Sequence, residues 1–547
     1  MKSWIAAAAA AALMLAAGPG AAQKPKAKPQ PDPTPAAAAQ AERDVNPAPA
    51  RHEGEGPYGR LVIRGVTLID GTGAPPYGPV DIVIENNRIA EIRVAGTPGL
   101  QLRPGREPRQ FDREIDATGM YAMPGFVDAH AHGGDADKAP DLEYVYKLWL
   151  AHGVTTVRGV PLASQRIAVA EKARSARNEI TAPRIFNYQT LGAGWGRVDS
   201  PERAREWVRW ASKNGVDGIK FFINGDETPE IDRAAIDEAK KLGMGTVAHL
   251  GQLGVAQFNA RTATEAGLRT VTHFYGHFES LLKDSRVQPF PADYNYFNEQ
   301  DRFGRMADIW DKIHEPGSPE WWAYLNELKE RGVELNPTFG IYSASRDLMR
   351  ARNADWHRDY TLPSLLAYYE SNRDNHGSYF FDWTTHEESQ WRRFFQRYMQ
   401  LVDDYQSIGG RVTAGSDSGF IWQLYGFGYI LELEMLQEAG LTPLEVIRAA
   451  TSEGAKAVYE PKDLAPEIGA VKRGMLADLV IVPENPLHNL KTLYGTGHVR
   501  LNNATNRSER VGGVRWTIKD GIVYDAPALL ADVRAMVAAK KAAARPR

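Results

Sequence analysis

Cysteine is absent from the 547 residues. That excludes disulfides, thiolate metal ligands and cysteine nucleophiles, so a transition metal must be held by His, Asp, Glu or a modified Lys. A surplus of one charge is missing too, since the formal net charge is -3. No basic excess argues for nucleic acid, and no acidic excess argues for a disordered, solvating chain. Beyond the N-terminal segment, no stretch is long and apolar enough to cross a bilayer. What is present suits a folded protein with a sizeable core: 43% hydrophobic and 24% charged residues.

Lys2 precedes an apolar, Ala-rich run that ends in small residues at Gly20-Ala21-Ala22. This predicts a signal peptide over 1–22, and hence a periplasmic or secreted protein with no membrane attachment after cleavage. Residues 23–58 are rich in Ala, Pro, Lys and Gln and predict a disordered linker.

From 59 to 122 the pattern is that of a small β unit. Val80–Glu85, Asn86-Asn87-Arg88 and Ile89–Ile92 read as a hairpin. From 123 to 460, β-branched strands alternate with amphipathic helices, which predicts a parallel sheet, open or closed into a barrel. Examples are Gly153–Arg158, Gly218–Phe222, Gly245–His249, Thr270–His273 and Arg411–Gly415. Residues 461–525 return to β, and 526–547 predict a helical, Ala-rich basic tail. Insertions of about 276–330 and 343–405 carry Trp321, Trp322, Trp356, Trp383 and Trp391. They read either as a helical elaboration with its own aromatic core or as a lid over the active face.

The strongest local feature is Pro124–Gly133, which contains His130 and His132. Two His separated by one residue face the same side of a strand, so both imidazoles can reach one metal. His249 and His273 each end a further predicted strand, and barrel active sites gather residues from several strand ends. Asp417 follows another, where a carboxylate could bind metal and accept a proton, or simply cap a turn. Lys220 lies between these positions; an ammonium has no lone pair for a metal. Tyr188, Tyr275 and His277 occupy places where pocket residues occur, although packing or capping explains them equally well.

In this order, the pieces resemble the amidohydrolase superfamily, in its imidazolonepropionase-like and Xaa-Pro dipeptidase-like branch. The resemblance rests on Ile69-Asp70-Gly71, Met123–Asp128 leading into His130 and His132, Gly153–Arg158, Lys220, His249, His273, Asp417 and Gly469–Val480. It covers about Leu61 to Tyr524. It implies an α/β fold: a (β/α)₈ TIM-like barrel with a β-sandwich domain built from N- and C-terminal segments. It also implies that His130, His132 and Asp417 bind one Zn²⁺ and that His249 and His273 bind a second. Lys220 would bridge the two as a carbamate, a carboxylysine. Asp417 would then be the catalytic proton carrier in hydrolysis of an amide or peptide C–N bond.

The chain departs from the family's compact members in the long stretch from His273 to Asp417. It departs again at Gly159-Val160-Pro161, where an acidic continuation is often seen. Both bear on the substrate, expected to be a small molecule or short peptide such as a dipeptide or N-acyl amino acid. Two other readings compete: a mononuclear cyclic-amide hydrolase or deaminase with Lys220 unmodified, and a metal- or ligand-binding protein without turnover. A homo-oligomer is left open by the sequence.

Overall fold

The computed structural model describes residues 44–97, 105, 110–223, 227–372, 377 and 379–544. The expected signal peptide lies outside these, as does the expected linker up to residue 43.

Parallel strands of mostly buried residues form the centre of the molecule. They are β6 (Phe126–Ala131), β7 (Val154–Gly159), β8 (Arg184–Thr190), β9 (Gly218–Phe222), β10 (Gly245–His249), β11 (Thr270–Thr272), β12 (Glu334–Asn336) and β13 (Arg411–Val412). They pair in sequence order from β6 to β13. The ring closes through backbone bonds between β6 and the chain just after β13. Ala129 N–H donates to Ala414 C=O, and Asp417 N–H donates to His130 C=O, both at 2.9 Å. Closure satisfies the edges that an open sheet would leave unpaired.

Helices follow the strands, and several begin where the chain supplies a cap. Ser200 before Pro201–Lys213 accepts from Arg203 N–H, and Thr228 before Pro229–Lys241 accepts from Ile231 N–H. Each cap is followed by proline, whose missing N–H costs nothing at a helix start. Thr384 and Glu387 form a reciprocal capping box at the head of Thr385–Ser407.

Both chain ends build a second, mixed sheet with the order β18-β17-β14-β5-β1-β2-β3. Its strands are β1 (Leu61–Leu68), β2 (Tyr77–Glu85), β3 (Arg88–Val94), β5 (Tyr121–Pro124), β14 (Leu479–Val482), β17 (Trp516–Lys519) and β18 (Ile522–Asp525). The start of β1 also pairs with β4 (Arg113–Asp116), whereas its end pairs with β5. Leu61, Ile63, Ile82, Leu479 and Ile518 form its core, and full burial of each such side chain contributes about 1.5–3 kcal/mol. The expected hairpin is present, with Asn86 at a φ of 54° in its turn. Among the described residues, β15 (His498–Asn502) and β16 (Arg507–Val511) pair only with each other.

The linker expectation fails over its last part. Val45 and Ala48 are buried, Asn46 N–H donates to Pro140 C=O, and Glu55 exchanges backbone bonds with Val523. A stretch poor in apolar residues is held here by backbone pairing. The expected tail forms the helix Ala526–Ala543, which buries Leu529, Leu530, Val533 and Val537. No helix among the described residues is long and apolar enough to cross a membrane.

Candidate active site

The C-terminal strand ends open into a cavity of about 290 Å³ lined by His130, His132, Lys220, His249, His273 and Asp417. The barrel thus brings together all six of the residues expected to serve one metal centre. His130 lies within β6, His132 just beyond it, Lys220 at the middle of β9 and His249 at the end of β10. His273 directly follows β11 with a φ of 64°, and Asp417 lies in the loop after β13 with a φ of 48°. Non-glycine residues seldom adopt that conformation, and such strain concentrates at functional sites.

The Asp417 carboxylate is the hub. His132 Nε2 stands 3.1 Å from its Oδ1, His130 Nε2 3.7 Å from the same oxygen, and His273 Nε2 3.7 Å from Oδ2. One ligand atom each from His130, His273 and Asp417 falls within 4.8 Å of the others. The His249 ring lies 4.7 Å from that of His273 and stacks on Phe222 at 4.7 Å. Lys220 Nζ reaches to 3.3 Å of His130 Nε2.

Burial governs the charges. It pushes the Lys220 amine down to about 7, opposed by the negative Asp417. It also holds His130 well below the ordinary imidazole value, with the Lys220 charge adding to the effect. Imidazole nitrogens and one carboxylate converging in a buried place, beside an amine whose charge burial disfavours, form a donor set suited to a divalent cation. His130 Nδ1 is itself buried without a hydrogen-bond partner.

Supporting groups that the sequence reading passed over hold these ligands. Asp128 is fully buried and accepts from Ser416 Oγ at 2.6 Å, Ser416 N–H at 2.9 Å and His130 N–H at 3.1 Å. It therefore ties β6 to the Asp417 loop. Its signal was an Asp inside the apolar run Phe126-Val127-Asp128-Ala129. His273 Nδ1 is 2.6 Å from Thr338 Oγ1. The loop of Thr338 is pinned by buried Glu432, which accepts from Gly340 N–H at 2.7 Å. Below the site, Arg158 and Glu334 form a bidentate buried pair at 2.9 and 3.1 Å, with Thr270 and Thr413 donating to the same carboxylate.

The three substrate candidates separate. Tyr275 lines the cavity. Tyr188 lies at the opposite mouth, packed over Gly218 and Gly245, where a Cβ on either glycine would strike its ring or hydroxyl. His277 is buried against Tyr324, with Nδ1 at 2.6 Å from the phenol oxygen. Both Tyr188 and His277 fill core space because the strand starts and the helix Pro319–Glu330 leave room there. The insertions combine the two roles left open for them. Trp391 is buried between Trp383 and Tyr342, and the first insertion sends Tyr296 and Arg302 into the cavity wall.

No protein-family model matches the chain. The methylthioadenosine/S-adenosylhomocysteine deaminase of Pelotomaculum thermopropionicum is 25% identical over 228 residues, 35% of this chain and 49% of the deaminase. The allantoinase of Rubrobacter xylanophilus is 25% identical over 39% of this chain and 45% of its own. The chain thus spans about half the length of these curated relatives.

Solved structures align far more fully. A Xaa-Pro dipeptidase with bound methionine superposes with a TM-score of 0.56 at 20% identity, covering 85% of this chain and all of the other. The bottromycin amidohydrolase gives 0.60 at 20% identity over 89% and 91%. The A. niger ochratoxinase gives 0.55 at 18% identity over 86% and 96%. The chain shares the fold of these solved structures, a (β/α)₈ barrel with a β-sandwich domain, as its sequence implied.

Proposed function

We propose that the chain is a secreted, zinc-dependent hydrolase of an amide or peptide C–N bond, acting on small substrates that end in a carboxylate. Dipeptides and N-acyl amino acids are the substrates that fit. The observation that carries this reading is the convergence of His130, His273 and Asp417 within 4.8 Å, beside His132, Lys220 and His249 on one cavity wall. Relatives whose names are deaminase, allantoinase and dipeptidase support C–N bond chemistry. The leader pattern of residues 1–22 supports secretion.

His130, His132 and Asp417 would hold one zinc, and His249 and His273 a second. Among the described residues, no carboxylate lies within ion-pair distance of Lys220, whose neighbour is an imidazole nitrogen. A carbamate on Lys220 would turn this buried amine into a bridging anion. The metals supply an acidified water and a polarised carbonyl. Asp417 takes up a proton and delivers it to the leaving nitrogen. Arg302 holds the substrate carboxylate by charge-assisted hydrogen bonds. It lines the cavity, its Nε is buried without a partner, and its Nη2 stands 3.3 Å from Glu299. Tyr275, Tyr342 and Phe420 close the walls against bulk water.

The zinc-loaded protein, assayed against dipeptides, N-acyl amino acids, cyclic amides and aminopurines, is expected to release amine from the first two groups. Release of ammonia from the aminopurines alone would overturn the reading. A second reading, one metal with Lys220 unmodified, draws on the single tight His130–His273–Asp417 group. One metal per chain and no bound carbon dioxide would select it.

A further inference from the structure

The catalytic cavity is not the largest. A second one, of about 440 Å³, lies between the second insertion, the helix Phe427–Ala439 and the β15–β16 ribbon. It shares no lining residue with the catalytic cavity, yet the two are back to back. Tyr342 and Ile421 line one, and their chain neighbours Ser343 and Trp422 line the other. The volume falls within the roughly 300–1,000 Å³ of small-molecule sites.

Its walls have two kinds of chemistry. The apolar part is Trp356, Trp422, Leu431, Met435 and Tyr494. The Trp356 ring is fixed by stacking on Phe427 at 5.1 Å and on Tyr494 at 5.5 Å, and its indole N–H is buried without a partner. The polar part carries both signs: beside its cations stand Asp355, Glu434 and Asp347, and the Asp347 carboxylate caps the helix Leu348–Arg352 by accepting from the Arg350 backbone N–H at 3.1 Å. Arg346 is committed to Glu438 at 2.6 Å, and Arg510 to Asp355. Among the described residues, Lys491 has only a distant ion-pair partner, Glu434 at 3.9 Å, whose carboxylate already accepts from the Tyr494 hydroxyl at 2.6 Å. Among the described residues, the Arg350 guanidinium has no ion-pair or hydrogen-bond partner at all. Aromatic faces beside an uncommitted guanidinium and ammonium suit a flat apolar body that carries one negative group.

We propose that this cavity is a second ligand site, separate from the catalytic centre, that takes a small aromatic carboxylate. The aromatic body lies against Trp356, Trp422 and Met435, and the carboxylate faces Arg350 and Lys491. Occupancy needs no metal and no turnover, so the proposal stands apart from the hydrolase reading.

Naphthylacetate is the probe, with its fluorescence and equilibrium dialysis reporting binding to the full chain; naphthylacetamide is the uncharged control. Saturable binding of one naphthylacetate per chain is expected at sub-millimolar concentration, with the amide weaker by about tenfold or more. Arg350→Glu and Lys491→Glu, both surface changes, should each weaken naphthylacetate by about tenfold, and Arg350→Lys should recover part of the loss. His132→Ala, which damages the catalytic cavity, should leave it unchanged. Binding that survives both charge reversals, binding lost in His132→Ala, equal binding of the amide, or no saturation by about 1 mM would each overturn the proposal.

Discussion

Asp417 meets His130 twice: its backbone N–H donates to the His130 carbonyl at 2.9 Å, and its carboxylate stands 3.7 Å from the His130 imidazole. The hydrogen bond closes the barrel, and the approach of the two side chains builds the site. One loop therefore does both, and the geometry of the site depends on how that loop is anchored. Ser416 and Asp128 are the anchor. Ser416→Ala removes the 2.6 Å hydrogen bond to a buried carboxylate. It is expected to cost about 1.5–3 kcal/mol in urea unfolding and to lower zinc affinity. Unchanged stability and zinc titration would remove the anchoring role.

The hub and the ligands predict different losses. Asp417→Asn keeps an oxygen ligand but cannot carry a proton. It should retain zinc and lose about 10²–10⁴-fold in kcat. His130→Ala should lose zinc and activity together. Full turnover in the first variant, or full zinc content in the second, would contradict the assignments. Metal analysis beside steady-state kinetics reads both.

Arg302 predicts a change in recognition without a change in metal. Arg302→Met keeps the apolar stem and removes the charge. It should raise KM for a carboxylate-bearing substrate by about tenfold or more, with zinc content intact. A matched substrate with its carboxylate amidated should be insensitive. Equal effects on both substrates would show that Arg302 acts only through its packing on Tyr296 and Phe303.

The buried pair beneath the site predicts a pH dependence. Burial opposes ionisation of Glu334, but the Arg158 charge and the hydrogen bonds from Arg158, Thr413 and Thr270 together hold it below the usual carboxylate range. A depressed acid binds fewer protons folded than unfolded. Its stabilisation is therefore complete above the unfolded value and is lost as pH falls through the folded value. Glu334→Gln, which strands the Arg158 cation, should cost about 3–5 kcal/mol near neutral pH. That deficit should shrink as pH falls below the usual carboxylate range and Glu334 of the native pair is itself protonated. A deficit that stays flat over that fall in pH would contradict the account.

The barrel and the histidines of the cavity were legible because each rests on a local pattern, whereas Lys220 carries no such pattern and stood out only through the family resemblance. His130 and His132 are two apart on one strand, and His249 and His273 each stand at a strand end. What escaped depends on three-dimensional packing. Tyr188 follows the same apolar-strand pattern as a site residue, but it lies two strand positions before Thr190, the partner of Lys220, and so points to the opposite mouth. Arg158 and Glu334 pair across non-adjacent strands, which spacing along the chain cannot reveal. Residues 44–58 have the composition of a spacer, and only backbone partners far away in sequence fix them. Arg302 had no distinguishing neighbours until its insertion folded over the cavity.

The most direct test of the account is an anomalous difference map recorded at the zinc edge from crystals grown with zinc and bicarbonate. Two peaks are expected, one among His130, His132 and Asp417 and one at His249 and His273, with continuous density joining Lys220 to both. An empty cavity under those conditions, or zinc bound only elsewhere on the molecule, would contradict it.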